Sequence, residues 1–564
     1  MGSLFSALAV ARSGMSAAQI QLDVTAHNIA NVNKEGFSRQ RVELGTISPN
    51  IFPFGEIGRG VLVTDVNRIR DSFLDSSFRD QVSGLGSADV QAQNYALLED
   101  AFLEPGENGF GTRIDGFFDA LNDFSNNVED FPVREAFLQE AQAVADSLNQ
   151  VAQRFYDLRT NANEEVRNLV PEVNGLTERI ADLNQNIRDA ELNGSSANDL
   201  RDDRDVALDQ LARLVNISTR ETDNGTVLVL LSDDVLVDQV GAREIEAVRN
   251  PALDAERDDL VELRFVDNGN LINVQGGEIF GALEIRDNAI PDVDARLDTI
   301  AASLIEGINA VHSQGNGLTN HTGTVSTSNP VTASTDPLVA AGLPFTVTPG
   351  TFDVVVYDAS NVATTTSITI APGTTLDDLA TQLNGVGNLS ASVTGNQLDI
   401  TPAAGFSFAF SNDNTNALPA LGLNGLFTGF DARTIDINQD LVNDPGLIAS
   451  GYSTDVLDTG DNSAALDMAA LREALVLDTG ASTIAQFYQS TIAELGVDAR
   501  ANLDTLNTEQ LFVQDFDRRR KETSGVSLDE EVTSLILFQR AFEASARVIS
   551  VADRMLETLL NVAR

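Results

Sequence analysis

Apolar residues recur at alternating steps of four and three positions near both ends of the chain, which is the spacing of a coiled-coil seam. The N-terminal seam has one polar member and consists of Leu4, Leu8, Ala11, Met15, Ala18, Leu22, Thr25, Ile29 and Val32. The C-terminal seam has two polar members and consists of Leu528, Val532, Leu535, Gln539, Phe542, Ala546, Ile549, Asp553, Leu556 and Leu560. This pattern predicts a helix at each end. The second helix should start just after Gly525, because Ser527 and Glu530 have the spacing of a capping box.

Each terminal helix needs a partner, because an amphipathic helix is stabilised mainly by burying its apolar stripe. The nearest partner is the other end of the same chain. A chain that goes out and returns pairs its two ends in opposite directions, so we predict a terminal antiparallel coiled coil. The alternative is that both helices are ordinary members of a globular bundle.

Between the ends, the spacing of apolar residues predicts long helices separated by short strands. Helical spacing extends over residues 137–190, with a slip in phase and a proline, Pro171, near which we expect a kink or a helix restart. Three further helices are predicted over residues 201–215, 294–311 and 482–521. Strands are predicted over residues 226–231, 261–266 and 271–274, with a turn at Asn268-Gly269 between the last two.

From residue 325 to residue 430 the composition shifts to Thr, Ser, Asn, Gly and Val. Short strands are predicted at residues 352–357, 364–370, 389–393, 397–401 and 406–410, and a helix at 376–383 with Thr375 as its N-cap. The expected fold is therefore mixed and mainly α. It combines a terminal antiparallel coiled coil (1–60 and 515–564), an elongated helical domain with small β elements (61–324 and 431–514), and an inserted β-rich domain (325–430).

The charge of the chain excludes some classes of partner. The 564 residues include 36 Lys and Arg against 84 Asp and Glu, a formal net charge of −48, which repels nucleic acid and anionic lipid. The absence of cysteine excludes disulfides and thiolate metal sites. We expect no secretory signal peptide, because no basic residue precedes the apolar residues 4–11, and no membrane insertion, because no apolar run reaches about 18 residues.

The three histidines do not form a catalytic or metal-binding motif. His27 lies within the N-terminal helical pattern beside two asparagines, which favours a packing or hydrogen-bonding role. His312 and His321 lie in a Gly/Asn-rich stretch and are interpreted as surface residues.

Two charged stretches are also interpreted without a metal-binding or nucleic-acid-binding role. Residues 436–440 begin like a calcium-binding loop, but leucines stand where that loop needs glycine and glutamate, so a turn is predicted. The basic run 518–521 indicates a solvated or inter-subunit face. From these residues we predict that the protein is not an enzyme and has no cofactor and no metal site.

Both ends of the chain carry stretches that resemble flagellar proteins. Residues 24–33 (VTAHNIANVN) with 36–40 (GFSRQ) resemble the N-terminal signature of flagellar rod, hook and hook-associated proteins, and residues 524–531 (SGVSLDEE) with 538–549 (FQRAFEASARVI) resemble the matching C-terminal signature. Within that group, residues 276–283 (GGEIFGAL), 286–288 (RDN) and 308–312 (INAVH) resemble the FlgK-type family of hook-filament junction proteins. Lys34-Glu35 departs from the small or proline-containing turn more usual before Gly36.

The resemblance implies a structural subunit of the bacterial flagellum that forms the junction between hook and filament and is required for filament assembly, and so for motility. It implies as partners a ring of identical subunits, the hook protein, the second junction protein and a cytoplasmic export chaperone on the C-terminal helix. It also implies secretion by the flagellar type III apparatus to the extracellular flagellum. The residues expected to carry assembly and packing are Leu4, Leu8, Met15, Leu22, Asn28, Ile29, Ala30, Asn31, Leu528, Val532, Leu535, Phe542, Ile549 and Leu556.

Two other functions fit the same residues. A surface-binding module or adhesin would use residues 325–430, carried on a helical stalk. Another flagellar axial protein, such as the second junction protein or a flagellin, would have similar terminal helices at a different position.

Overall fold

Helices make up most of the secondary structure in the computed structural model, which describes residues 2–52, 55–102, 104, 106, 109–192, 194–254 and 257–562. A π-helical turn, Ile285–Ala289, joins two of the helices, and short 3-10 turns lie at Leu338–Ala340 and Pro445–Leu447. In chain order the α-helices are α1 (Gly2–Ala30), α2 (Ser72–Ala101), α3 (Phe110–Asn126), α4 (Phe131–Glu191), α5 (Asn198–Leu214), α6 (Gly277–Glu284), α7 (Ile290–His312), α8 (Leu376–Asn384), α9 (Ala417–Leu421), α10 (Gln439–Asn443), α11 (Ser463–Ala470), α12 (Ile484–Ser524) and α13 (Leu528–Val562).

The strands are short and pair antiparallel throughout the described residues. In chain order the strands are β1 (Gln40–Thr46), β2 (Asn50–Phe52), β3 (Gly55–Ile57), β4 (Val61–Arg68), β5 (Ile217–Glu221), β6 (Val227–Leu231), β7 (Asp234–Val237), β8 (Ile245–Arg249), β9 (Val261–Phe265), β10 (Val325–Ser326), β11 (Gly350–Tyr357), β12 (Ala363–Ile370), β13 (Leu389–Thr394), β14 (Gln397–Pro402), β15 (Ser407–Ser411), β16 (Phe427–Thr428) and β17 (Asp436–Ile437). They form the sheets β1-β4, β2-β3, β5-β6-β7, β8-β9, β10-β14-β13, β12-β11-β15 and β16-β17.

The chain divides into two compact units. The first unit consists of Met1–Gln93, Asn161–Ile285 and Ala501–Arg564, and the second of Asn94–Thr160 and Arg286–Arg500. The finer division into terminal, helical and inserted domains stays a prediction.

The core of the first unit lies between the C-terminal part of α4, α5 and the small sheets that follow them. Alternate side chains of β6 are buried, as expected for a strand with one face on a core. Together these elements bury a continuous apolar cluster that includes Val166, Val173, Leu208, Leu211, Val229, Leu263 and Phe265. Helix pairs and small sheets therefore share one core in this unit.

The second unit has an aromatic core between α3 and the N-terminal part of α4. Phe124 stacks on Phe137 with ring centroids 5.4 Å apart, and Phe117 lies 5.6 Å from the same ring. All three side chains have no exposed surface. Fully buried phenylalanines contribute several kcal/mol each, so this cluster supplies a large part of the stability of the second unit.

The strands predicted between residues 350 and 411 are present within one or two residues of their expected bounds. The predicted helix is α8, and Thr375 is its N-cap. The Thr375 hydroxyl accepts a hydrogen bond from the Asp378 N–H, and the Asp378 side chain accepts one from the Thr375 N–H, which makes a capping box. Local sequence thus determined this segment well.

One prediction about local structure is wrong in part and another is wrong. The helix restart expected near Pro171 does not occur, because α4 continues through Pro171, which lies on its exposed side, and the expected kink stays a prediction. The predicted strand at residues 271–274 forms only a single bridge between Leu271 and Arg264, although the Ile272 N–H still donates to the Leu263 carbonyl. Pairing ends there because the chain turns away to begin α6 at Gly277.

The interpretation of His312 and His321 as surface residues is also wrong, since their exposures are 0% and 7%. His312 ends α7, and the chain folds back over it: its Nδ1 pairs with the Asn424 carbonyl at 2.8 Å, and its Nε2 accepts the Ala449 N–H at 3.1 Å. His321 Nε2 pairs with Asn424 Oδ1 at 2.8 Å. Burial lowers the pKa of His312 to about 4 and also lowers the pKa of His321.

Candidate assembly surface of the terminal helices

The two terminal helices, α1 and α13, pack against each other in opposite directions. The Asn28 side chain contacts Glu531, and fourteen residues earlier on α1 Gly14 faces Ser545, fourteen residues later on α13. A Cβ at Gly14 would lie 3.2 Å from Ser545 Oγ, so the helices approach closely at this point. The antiparallel pairing that the sequence predicts is therefore present.

The predicted packing residues occupy three kinds of environment. On α1, Asn28 is buried, Ala30 is exposed, and the half-buried members are Leu4, Leu8, Met15, Leu22, Ile29 and, just past the helix end, Asn31. On α13, Leu528 and Val532 are 49% and 48% exposed, and the half-buried members are Leu535, Phe542, Ile549 and Leu556. The side chain of Leu560 lies outside the described residues.

A second row of α13 residues faces α1, and the heptad pattern of the sequence did not predict it. Glu531 and Ala552 are 2% and 4% exposed, and the two positions at sevenfold spacing between them are Phe538 and Ser545. Phe538 lines a cleft together with Gln21 of α1. The sequence contains a trace of this row. The two polar members of the predicted C-terminal seam, Gln539 and Asp553, are each preceded by an apolar residue of the second row, Phe538 and Ala552.

A buried polar contact ties the end of α1 to β1 and α13. Asn28 Nδ2 donates to the Gln40 carbonyl at 3.0 Å and to Glu531 Oε2 at 3.1 Å, and Asn28 Oδ1 accepts the Gln40 N–H at 3.0 Å. Arg39 forms ion pairs at 2.7 Å with both Glu530 and Glu531. Both ends of the chain are thus held at one point by hydrogen bonds and charge.

The turn after α1 is closed by Gly36. Its φ of +75° is in the left-handed region, and a Cβ there would lie 2.2 Å from Val206 Cγ2, so a side chain does not fit. His27 Nε2 lies 3.3 Å from Asp199 Oδ1, and its ring packs edge-on against Phe37. The Lys34-Glu35 departure from the family pattern leaves the turn intact, and His27 has the packing and hydrogen-bonding role expected of it.

Beneath this turn, arginines and aspartates form an ion-pair network. Arg68 contacts Asp202 at 2.7 Å and Asp205 at 2.8 Å, and Arg79 contacts Asp205 at 3.1 Å. Burial alone would raise the pKa of Asp205, but Arg70, Arg68 and Arg79 together hold it well below its usual range. The network is therefore charged at neutral pH.

The basic run 518–521 divides into two environments at the end of α12. Arg520 joins the network through Asp75 at 3.1 Å and Asp209 at 2.9 Å, and its guanidinium lies 4.2 Å from the centre of the Phe78 ring. The predicted solvated face is wrong for Arg520, because α2 and α5 cover it. The other three members are exposed and pair with acidic neighbours on the same helix.

Several large apolar side chains of α13 stay exposed in the single chain, each by 45–64%: Leu528, Val532, Ile536, Leu537, Val548, Val551 and Met555. On α1, Phe5 is 57% and Val10 37% exposed. A concentration of exposed apolar side chains on one helix indicates an interaction site.

Membrane-spanning helices and metal-binding clusters are two further kinds of feature that bear on function. No helix among them is long and apolar enough to cross a membrane. In the same part of the chain, no three His, Cys, Asp or Glu side chains converge closely enough to hold a metal ion by themselves.

Comparison with known proteins shows that three parts of the chain match families of flagellar proteins. Residues 8–38 match the family described as "Flagella basal body rod protein", residues 520–562 match "Flagellar basal body rod FlgEFG protein C-terminal", and residues 95–325 match "Flagellar hook-associated protein FlgK helical domain". Flagellar hook-associated protein 1 of Bacillus subtilis strain 168 is 26% identical over 572 residues, covering 100% of this chain and 99% of the relative. Flagellar hook-associated protein 1 of Salmonella typhimurium strain LT2 is 27% identical over 585 residues, covering 98% and 99%.

A solved structure shares the fold. The flagellar hook junction protein FlgK from Burkholderia pseudomallei aligns with a TM-score of 0.51 at 16% identity, covering 80% of this chain and 100% of that one. Paired terminal helices and matches to rod-type families at both ends define the class, the axial proteins of the bacterial flagellum. Within that class, the chain is similar to the FlgK-type flagellar hook-associated proteins, through the helical-domain match over residues 95–325 and through relatives that align over nearly its full length.

Proposed function

We propose that this protein is a structural subunit that forms the junction between hook and filament of the bacterial flagellum and is required for filament assembly. The observation that carries the proposal is the set of exposed apolar side chains on α13, which the single chain does not cover. This exposed surface lies inside the terminal region that matches the rod-type family. Its burial against neighbouring copies would complete the packing that α1 and α13 begin.

The proposed partners follow from the same surface. Identical subunits in a ring would cover most of it, with the hook protein on one side and the second junction protein on the other. Leu528 and Val532 would contact neighbouring copies, whereas half-buried residues such as Leu535 and Phe542 would hold α13 on α1. Before assembly, a cytoplasmic export chaperone would cover the same helix.

The proposal also covers where the protein acts and whether it is an enzyme. The protein would leave the cell through the flagellar type III apparatus and act in the extracellular flagellum. It would act by packing alone and not as an enzyme, in keeping with its structural relatives.

The alternative functions are not favoured. The curated relatives align over 98% or more of this chain, so the match includes residues 325–430 and extends well beyond the terminal helices. An adhesin built on a helical stalk would not require that full-length match. A second junction protein or a flagellin would not match the FlgK helical domain over residues 95–325.

A charge placed among the exposed apolar side chains of α13 tests the proposal. Leu537 is 64% exposed, so Leu537→Asp leaves the packing on α1 intact while opposing burial between subunits. In a strain that lacks its own junction protein, we expect the variant to be secreted but to restore no filaments when hooks are viewed by electron microscopy. The matched control is Gln539→Asp, which adds the same charge at an exposed polar position on the same helix.

The readouts separate assembly from export. Secreted protein is measured in the medium, and immunogold labelling of isolated hooks locates the wild-type subunit. Normal filaments with Leu537→Asp, or a label along the filament instead of at the hook end, would contradict the proposal.

A further inference from the structure

Three aspartates of the second unit line a small polar cavity. The cavity has a volume of about 20 Å³, enough for one water-sized species. It lies between residues 316–320 after α7, Tyr357 at the end of β11, and residues 450–461. Asp455, Asp458 and Asp461 all line it, and no described Arg, Lys or His does. The cavity is therefore strongly negative without a protein cation to balance it.

Asn316, which lines the same cavity, has a buried amide oxygen with no partner among the described residues. Asn316 is 8% exposed, and its Nδ2 donates to the Ser453 carbonyl at 3.1 Å. Its Oδ1 accepts no hydrogen bond in this part of the chain. Leaving a buried acceptor unpaired costs about 1–3 kcal/mol, so the site favours a species that accepts electron pairs from oxygen.

The surrounding hydrogen bonds fix the loop and leave one carboxylate uncommitted. Asp461 accepts the Ser453 N–H at 2.8 Å and the Ser463 N–H at 3.0 Å, and Asp455 accepts the Leu457 N–H at 3.0 Å. Among the described residues, no hydrogen bond or ion pair involves the Asp458 side chain. Asp458 is exposed, so its carboxylate is available to a ligand at the mouth of the cavity.

We propose that this cavity binds a divalent cation, and that Ca²⁺ suits it best. All its donors are oxygens, which favours a hard cation over zinc or copper. Because three carboxylates do not converge on one point, the Asn316 amide oxygen, main-chain carbonyls and water would complete the coordination. Calcium tolerates such an irregular shell of six to eight oxygens, whereas magnesium requires a nearly regular octahedron. We expect a Kd on the order of 10⁻⁴–10⁻³ M, as in extracellular calcium modules.

The bound ion would join two loops that are far apart in sequence to the end of β11. The chain has no cysteine, so it has no disulfide to do this. This role rests on the proposed function, because a subunit exported unfolded would meet millimolar calcium only outside the cell. Calcium would then stabilise the second unit after export.

Terbium luminescence tests the site on the purified full-length protein. Tb³⁺ replaces Ca²⁺ and emits when a nearby aromatic residue is excited; the chain has no tryptophan, and Tyr357 lines the cavity. We expect sensitised emission that Ca²⁺ displaces and that NaCl of equal ionic strength does not. Tyr357→Phe should lower the emission while Ca²⁺ still raises the melting temperature.

Two variants of equal charge change provide the decisive comparison. Asp458→Asn should weaken Tb³⁺ and Ca²⁺ binding by about tenfold or more, whereas Asp123→Asn, on the exposed side of α3, should change neither. Equal binding by the two variants, unchanged emission in Tyr357→Phe, or a thermal shift reproduced by NaCl would overturn the proposal. A water molecule would then satisfy Asn316. Such a failure would leave the junction function untouched, because that function is tested through α13.

Discussion

The second unit and the terminal helices bury their large apolar side chains to very different extents. Phe117 and Phe137 in the second unit have no exposed surface, whereas Ile536 and Leu537 on α13 are 53% and 64% exposed. The second unit therefore completes its core within one chain. The terminal helices bury one seam and leave other apolar side chains of α13 for another molecule to cover.

The two regions also satisfy their buried charges differently. In the second unit, Arg134 is fully buried and donates to main-chain carbonyls, those of Val128 and Ile448 at 2.7 Å each, and burial lowers its pKa to about 10. In the first unit, Arg68 and Arg79 pair with the carboxylate of Asp205. The first arrangement depends on the fold of the backbone, and the second depends on side chains from several elements meeting at one point.

The largest expected difference between the regions comes from removing one apolar side chain in each. Phe137→Ala should lower the free energy of unfolding of the second unit by about 3–5 kcal/mol, because a fully buried ring is lost. Leu537→Ala should change the stability of the monomer by no more than about 0.5 kcal/mol, because its side chain is mostly exposed. Urea titration followed by hydrogen exchange and mass spectrometry reports each region separately. Equal losses would show that α13 is already fully packed in the single chain.

Features that depend on nearby residues were predictable from the sequence, and features that depend on distant ones were not. The Thr375 capping box and the strands around it are set within a few residues. The row containing Leu535 and Phe542 followed from the heptad spacing. The row containing Glu531 was missed, because Glu531 and Ser545 are polar and the spacing of apolar residues favours the neighbouring row.

The histidines show the same limit. Burial of His312 depends on residues 424 and 449, more than a hundred positions away, and no local pattern records that contact. The cavity at Asn316 and Asp458 was missed for the same reason, since it joins residues 316–320 to residues 450–461. The assembly roles assigned to the terminal residues also remain predictions, because their test requires neighbouring subunits.

A second difference between the regions should appear on acidification. The pKa of His312 in the folded state, about 4, lies below the ordinary value of about 6.5, so the unfolded chain binds the proton more tightly. The stabilising contribution is complete above pH 6.5 and is lost as the pH falls to about 4, which amounts to about 3 kcal/mol. Protonated Nε2 could no longer accept the Ala449 N–H. Unfolding of the second unit, measured from pH 7 to pH 4, should show this slope.

Substituting the buried His312 and the partly exposed His27 in separate variants shows which group causes the pH dependence of stability. His312→Asn should reduce the slope and leave the part that His321 contributes, since burial lowers its pKa as well. His27→Gln, in the first unit and partly exposed, should leave the slope of the second unit unchanged. A slope that persists unaltered in His312→Asn would assign the acid sensitivity to the carboxylates instead.

The smallest of the three effects concerns how the terminal helices hold together before assembly. Asn28→Ala would remove the partner of the Gln40 N–H and carbonyl and one contact of Glu531, all of them buried. We expect a loss of about 2 kcal/mol in the pairing of α1 with α13, because two buried backbone groups lose their hydrogen bonds. Amide exchange across α1 and α13 in the dilute monomer measures it, and Asn33→Ala, an exposed asparagine in the following turn, is the control. Since the apolar seam is only half-buried, this polar contact should determine whether the helices remain paired in the monomer, and equal exchange rates in the two variants would show that the seam alone is sufficient.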